Sequence, residues 1–221
     1  MVGCVCRGDA SVGWGVSFYA ERVVPHLVDL ACGSKGFRCW RAEVASGLTG
    51  TVVEIGFGSG RNLEHLPDAV TQVLAVEPSS VAMHMARRRM RGTSIPVEHV
   101  GLDGQAIALA TASCDSALCT FSLCTIPDPS AALREVHRVL RPGGELHFLE
   151  HGLAPDARVA ALQRRLDPLE RRLAGGCHLS RDPVTLAHEA GFMVVDVKQQ
   201  YGAGPKPWTW FSRGMALRVG E

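Results

Sequence analysis

"TVVEIGFGSGR", Thr51 to Arg61, decides the reading of this chain. Gly50 interrupts what precedes it, Thr51 to Ile55 is β-branched and apolar, and glycines at 56, 58 and 60 follow at once. A strand that runs directly into such a loop lets the backbone approach a ligand closely and take positive φ. A helix expected from about Gly60 to Leu66 would then offer free N–H groups to a carboxylate. A second stretch, "VDLACGSKG" from Val28 to Gly36, has similar letters in a different setting. Val23, Val24, Leu27, Val28, Leu30 and Ala31 recur at helical spacing between Phe18 and Cys32, with Pro25 as a kink point. Gly33 stands where a helix commonly ends in a left-handed residue. The first stretch reads as a ligand loop and the second as the end of a helix.

Downstream of the loop the chain alternates. Strand Gln72–Glu77, helix Ser79–Arg91, strand Pro96–Val100, strand Asp115–Phe121 and helix Pro129–Leu140 follow in turn. Pro142-Gly143-Gly144 then turns the chain into strand Glu145–Leu149. This order implies parallel βα units with helices on both faces of the sheet. Two last strands, "GFMVVDVKQQ" and "WTWFSRGMALRV", are joined by a connector too short for a helical crossover, so the final strand is reversed. The expectation is a doubly wound α/β sheet of seven strands with the last antiparallel.

At 221 residues the chain fits one domain. Residues 1–17 read as a loose leader, 18–47 as an N-terminal helical lid and 51–221 as the core. Lys and Arg total 23 against 22 Asp and Glu, which gives no electrostatic case for a nucleic-acid partner. No apolar run reaches the roughly 18 to 20 residues that span a bilayer, so stable membrane insertion is not expected. Eight cysteines without a Cys-x-x-Cys pair read as reduced thiols in a cytoplasmic protein.

Acids occupy telling places. Glu77 ends the second strand, 21 residues after Gly56, where a carboxylate can take both hydroxyls of a ribose. Asp103 follows the third strand, placed to accept from an adenine amino group. The spacing Gly-x-Gly-x-Gly differs from the Gly-x-Gly-x-x-Gly of dinucleotide enzymes, which argues against a nicotinamide oxidoreductase.

From Thr51 to about Val219 the chain resembles the class I S-adenosylmethionine-dependent methyltransferases. The likeness rests on "VEIGFGSGR", "AVEPS", "LDGQAIAL", "CDSALCTFSLCTIPDP" and "LREVHRVLRPGGELHFLEHG". It implies a Rossmann-like fold and S-adenosylmethionine as cofactor. Glu54, Gly56, Gly58 and Gly60 would hold the methionine part, Glu77 the ribose, Asp103 and Gly104 the adenine, and the backbone around Thr120 the rest of the pocket. Phe57 stands where the family commonly has a small residue or Cys, which would narrow one wall. Within the family, "SLCTIPDP", "FLEHG" and "GGCHLSR" are most similar to alkyl-thiol S-methyltransferases and related small bacterial enzymes of actinobacterial type. A small, fairly apolar acceptor is implied, a thiol first. A quinone, phenol or phospholipid acceptor, or cofactor binding without turnover, stays open.

A sulfonium methyl is already activated, so few catalytic side chains are obligatory. Candidates lie where strands meet the ligand edge: Phe121, Ser122 and Cys124 after the fourth strand, Glu150 and His151 after the fifth. His151 is the first candidate for a general base, because its ordinary pKa is near neutral. The competing reading is that it only bonds the loop backbone. His178, beside Cys177 in "GGCHLSR", ranks second, in a loop lining the acceptor pocket. Spacing along the chain gives no metal-ligand pattern, and no metal is expected. The segment 156–174 reads as a lid of two short helices divided at Pro168, with a solvated arginine face.

Overall fold

A computed structural model describes residues 22–220. The expected leader, the start of the first helix at Phe18 and Cys4 and Cys6 lie outside them. Helices α1 (Val24–Cys32) and α2 (Lys35–Ala45) precede strand β1 (Gly50–Ile55). Then come β2 (Val70–Val76), α3 (Ser80–Gly92), β3 (Val97–Gly101), β4 (Cys114–Thr120), α4 (Pro129–Val139) and β5 (Leu140–His151). The chain closes with α5 (Ala157–Leu173), α6 (Pro183–Glu189), β6 (Phe192–Tyr201) and β7 (Trp210–Arg218).

All seven strands form one sheet in the order β3-β2-β1-β4-β5-β7-β6. Strands β1 to β5 pair in parallel, and β7 runs antiparallel to both β5 and β6. The strand order changes direction between β1 and β4, which opens a crevice at the strands' C-terminal ends. Both faces of the sheet are apolar because successive side chains alternate. Val53, Ile55, Leu74, Val76 and Phe148 pack with Leu133 and Val136 of α4 on one face. Val52, Val73, Ala75, Leu118 and Leu149 pack with Val44 and Ala45 of α2 and Ala86 of α3 on the other. Caps fix the helix starts: the Ser79, Asp128, Asp156 and Asp182 side chains each accept from a backbone N–H in the first turn.

Several local expectations change. The helix after the glycine loop shrinks to a 3₁₀ turn at Leu63–His65. Pro67 follows Leu66, which takes an extended conformation, and the residue before a proline is driven out of the α region. No α-helix N-terminus therefore stands over the loop. Pro25 lies in the first turn of α1, where a missing N–H costs nothing, and a turn at Val23 separates α1 from Arg22; the earlier part of the helix expected from Phe18 lies outside the described residues. Gly33 ends α1 at φ −90°, not in the left-handed region. The Pro142-Gly143-Gly144 turn is absorbed into β5 as an irregularity opposite Cys114 to Ser116, with Gly143 at φ +77°.

Helix α5 is one continuous helix through Pro168. Pro168 and Arg164, one turn before it, are both exposed, so the carbonyl that loses its N–H partner can bond water. The helix is also pinned from both sides. Gln163, fully buried, donates to Gly152 O and Pro207 O at 3.0 Å each and accepts from Ala154 N at 2.9 Å. Asp167 accepts from Leu179 N at 2.6 Å. What α5 buries is small and polar: Ala160 and Gln163 are inside, whereas Leu162, Leu169 and Leu173 are exposed. Gln163→Ala would strand two carbonyls and one N–H, and should cost roughly 2–4 kcal/mol in urea unfolding; a loss under 1 kcal/mol would show that water replaces the amide.

Candidate active site

Three carboxylates mark the C-terminal ends of the parallel strands. Glu54, next to the end of β1, is 1% exposed, and burial pushes its pKa up to about 7 against the opposing Asn62 hydrogen bond. Its Oε1 accepts from Asn62 Nδ2 at 2.7 Å, while Oε2 has no partner. Asn62 also donates to Thr120 Oγ1 at 2.9 Å and accepts from Arg41 Nη1 at 2.6 Å. Arg41 Nη1 donates to Thr120 Oγ1 at 2.9 Å, and its Nε is unpartnered. Arg41 and Asn62 were not singled out in the sequence. Asn62 stands two residues past the last loop glycine, a signal in plain view; Arg41 sits in a segment without a motif.

The glycine loop runs through φ +68°, +58° and +74° at Gly56, Gly58 and Gly60. A Cβ at Gly56 would overlap the Ser122 side chain, so only glycine lets this loop lie against the β4 end. Glu77, directly after β2, accepts from Gly58 N and Ser79 N at 2.8 Å each. Burial raises its pKa in spite of those bonds. Phe57 turns its ring into the core beneath the loop, beside Leu63. Arg89 of α3 donates to Ser59 O at 2.8 Å and so ties that helix to the glycine loop.

The third carboxylate, Glu150, accepts from Ser122 N at 2.8 Å and Leu123 N at 3.2 Å, and its Oε2 has no partner. Burial pushes it up to about 7. These bonds hold the turn after β4, where Phe121 takes φ +55°, a conformation uncommon for a residue with a side chain.

The loop, Glu77, the Asp103-Gly104 turn and the β4 end surround a cavity of about 740 Å³, within the range of small-ligand sites. Asp103 is exposed and accepts from Gln105 N at 2.8 Å. Gly104 is buried, and a Cβ there would press on Ile55. Arg41, Asn62, Thr120 and Phe121 form the inner wall. Val24, Val28 and Cys32 of α1, with Gly175 and Gly176, complete it. Neither His151 nor His178 lines the cavity. The ring of His151 instead meets Cys177 Sγ through Nε2 at 3.1 Å. Burial opposes charge on this ring, yet the contact with Cys177 raises its pKa, while Cys177 is lowered, first by the Cys124 thiol. His178 lies 3.6 Å from Asp167, and its backbone N donates to Cys124 O at 2.8 Å.

The two look-alike stretches meet. Asp29 of α1 accepts from Arg61 Nε and Nη2 at 2.6 Å each, and from Ser59 Oγ. A Cβ at Gly33 would overlap the Arg61 guanidinium and push it from its place on Asp29.

A family profile described as a methyltransferase domain matches residues 53–148. The chain is 32% identical over 168 residues to the Rattus norvegicus thiol S-methyltransferase TMT1B, covering 74% of this chain and 67% of that protein. It is 31% identical over 179 residues to the Homo sapiens thiol S-methyltransferase TMT1B, covering 76% and 70%. Among solved structures, the S-adenosylmethionine dependent methyltransferase from Mesorhizobium loti superposes with a TM-score of 0.61 at 20% identity, covering 84% of this chain and 99% of that one.

The Asp29 contacts outweigh its burial and hold its pKa below the ordinary 3.8. A depressed carboxylate stabilises the folded state fully above its unfolded pKa, and that stability is lost as pH falls through the folded value. Docking of α1 on the loop should therefore be intact at neutral pH and weaken below pH 3.8. Asp29→Asn should weaken it already at pH 7, by about 1 kcal/mol for a partly exposed pair, giving roughly fivefold faster amide exchange in α1 and residues 56–61. Unchanged exchange would show that α1 is held by other contacts.

Proposed function

We propose that this chain, which belongs to the class I S-adenosylmethionine-dependent methyltransferases, transfers the methyl group to a small, apolar thiol. The observation that carries the acceptor is the state of the cavity's acids. Among the described residues Asp29 is bonded to Arg61, Glu77 to two backbone N–H groups and Asp103 to Gln105. None is a free base. A thiol, with its ordinary pKa of about 8.5, needs the smallest push to become a nucleophile, whereas a hydroxyl needs a strong base. The likeness to thiol S-methyltransferases supports the same reading.

The residues fit the cofactor. The Arg41 guanidinium on the cavity wall is suited to a carboxylate, and Glu54, whose fully buried Oε2 has no partner, lies behind that wall, not in it, where its charge would favour a cationic amino group. The Gly56 to Gly60 loop would hold the methionine part, Glu77 the ribose hydroxyls, Asp103 and Gly104 the adenine, and the backbone at Thr120 the remaining wall. The bound cofactor supplies an activated methyl on a sulfonium. The protein's own work is to orient and to exclude water. Residues 22–45 would act as a lid: α1 closes the cavity with Val24 and Val28 while Asp29 latches it to the loop. Phe121, in ring contact with Phe37 at 4.9 Å, would give the acceptor an apolar seat. Arg171 and Arg172, which also line the cavity, would favour negative charge on the sulfur as the thiol ionises. Among the described residues no helix is long and apolar enough to cross a membrane.

Glu77→Gln keeps the shape but loses the charge. It should weaken S-adenosylmethionine binding roughly 10- to 100-fold in calorimetry, the worth of hydrogen bonds to a charged acceptor. Equal affinity in the variant would remove Glu77 from the site. For the acceptor, labelled methyl should move to an alkyl thiol faster than to a matched phenol, quinol or phospholipid. A phenol or quinol preference would overturn the thiol reading, and binding without transfer to any of them would leave a cofactor-binding protein.

A further inference from the structure

Cys124, His151 and Cys177 lie 26 to 53 residues apart in the chain, yet their ligand atoms all fall within 4.8 Å of one another. Cys124 comes from the turn after β4, His151 from the last position of β5, and Cys177 from the loop between α5 and α6. Both cysteines are reduced and buried. None of the three lines the cavity itself, but each cysteine stands next to a residue that does: Thr125 follows Cys124 and Gly176 precedes Cys177.

We propose that these three side chains hold a thiophilic divalent cation of the zinc class, whose open fourth position takes the acceptor thiol. The donor set, two sulfurs and one imidazole nitrogen, is the kind that zinc favours, and three protein ligands with one vacancy is the pattern of reactive zinc sites. Tetrahedral zinc, with Zn–S near 2.3 Å and Zn–N near 2.0 Å, sets its ligands roughly 3.5–3.8 Å apart, a small adjustment from the spacing seen. The two cysteine-bearing loops are braced against each other, as a metal site requires. His178 N donates to Cys124 O at 2.8 Å, and Arg181 donates to Leu123 O at 2.5 Å and Ile126 O at 2.7 Å. Cys119, also near the strand ends, is outside this cluster, and its thiol donates to Glu150 Oε1 at 3.4 Å.

This inference deepens the thiol reading above and rests on it. On binding, the acceptor's S–H proton passes to solvent and the sulfur becomes a metal-held thiolate. That sulfur forms a bond to the methyl carbon as the methyl's bond to the cofactor's sulfonium sulfur breaks. The electron pair of the broken bond stays on the cofactor sulfur and cancels its charge. The product thioether is a poorer ligand and leaves.

The test is made on the full chain, prepared under anaerobic reducing conditions. Zinc should be present at about one per chain, and cobalt(II) in its place should give thiolate-to-metal charge-transfer absorption. Adding an alkyl thiol, without any cofactor, should shift that absorption. Cys124→Ser and Cys177→Ser should each weaken metal binding by more than the roughly 10- to 100-fold typical of an outer partner, while Cys39→Ser, on an exposed position, should not. If either serine variant fails to fold, the cobalt spectrum of the unaltered chain and its response to thiol decide alone. No metal uptake, a Cys124–Cys177 disulfide in the anaerobic protein, or a cobalt spectrum blind to thiol would each overturn the proposal. Thiol methylation by a metal-free chain would overturn it while leaving the thiol acceptor standing.

Discussion

A carboxylate removed from water must find donors, and this constraint shapes the crevice at the end of the sheet. Glu54, Glu77 and Glu150 are all buried at the C-terminal ends of parallel strands. Each is met by groups brought from elsewhere in the chain. Asn62 serves Glu54, the backbone of Gly58 and Ser79 serves Glu77, and the backbone of Ser122 and Leu123 serves Glu150. The loops that border the cavity are thus positioned by the acids they satisfy. Two of these acids keep an oxygen without a partner, Glu54 and Glu150. An unmet acceptor of that kind is a place for a ligand or a water.

The same logic links the sheet to the segments that cover it. Arg41 enters the interior from α2 and is met by Asn62 and Thr120, so the covering helix and the ligand loop share one polar network. Its guanidinium also sits 5.1 Å from the Phe121 ring. Phe37, Trp40 and Phe211 gather on that side, so the polar and apolar halves of the cavity meet at a single residue held in an uncommon conformation. Asp29 adds a second tie, from α1 to Ser59 and Arg61. A methyltransferase must admit its substrates and then exclude water. A helix latched by one ion pair, with Val28 and Leu30 still exposed, suits that requirement.

Several residues that line the cavity were legible in the sequence because their positions are fixed relative to strand ends. Glycines after β1, an acid after β2 and another after β3 follow from the period of βα units, which is local. Other parts had no local signal. Gln163 looks like any polar helix residue, and only the packing of α5 on the 152–154 and 205–208 segments makes it the helix's anchor. The helix expected after the loop failed because Pro67 overrode its pattern. The break expected at Pro168 failed because tertiary clamps and solvent access outweighed one lost hydrogen bond.

The sequence by itself determined the alternating α/β sheet, its reversed last strand, the glycine loop and the family, because periodicity and short motifs are properties of neighbouring residues. Only the tertiary structure decided which distant groups meet. It set Arg41 beside Asn62, Asp29 on the look-alike loop, and His151 against Cys177, not into the cavity. Those pairings depend on desolvation and on the geometry of strand ends, and residues far apart in the chain show neither until the sheet brings them together.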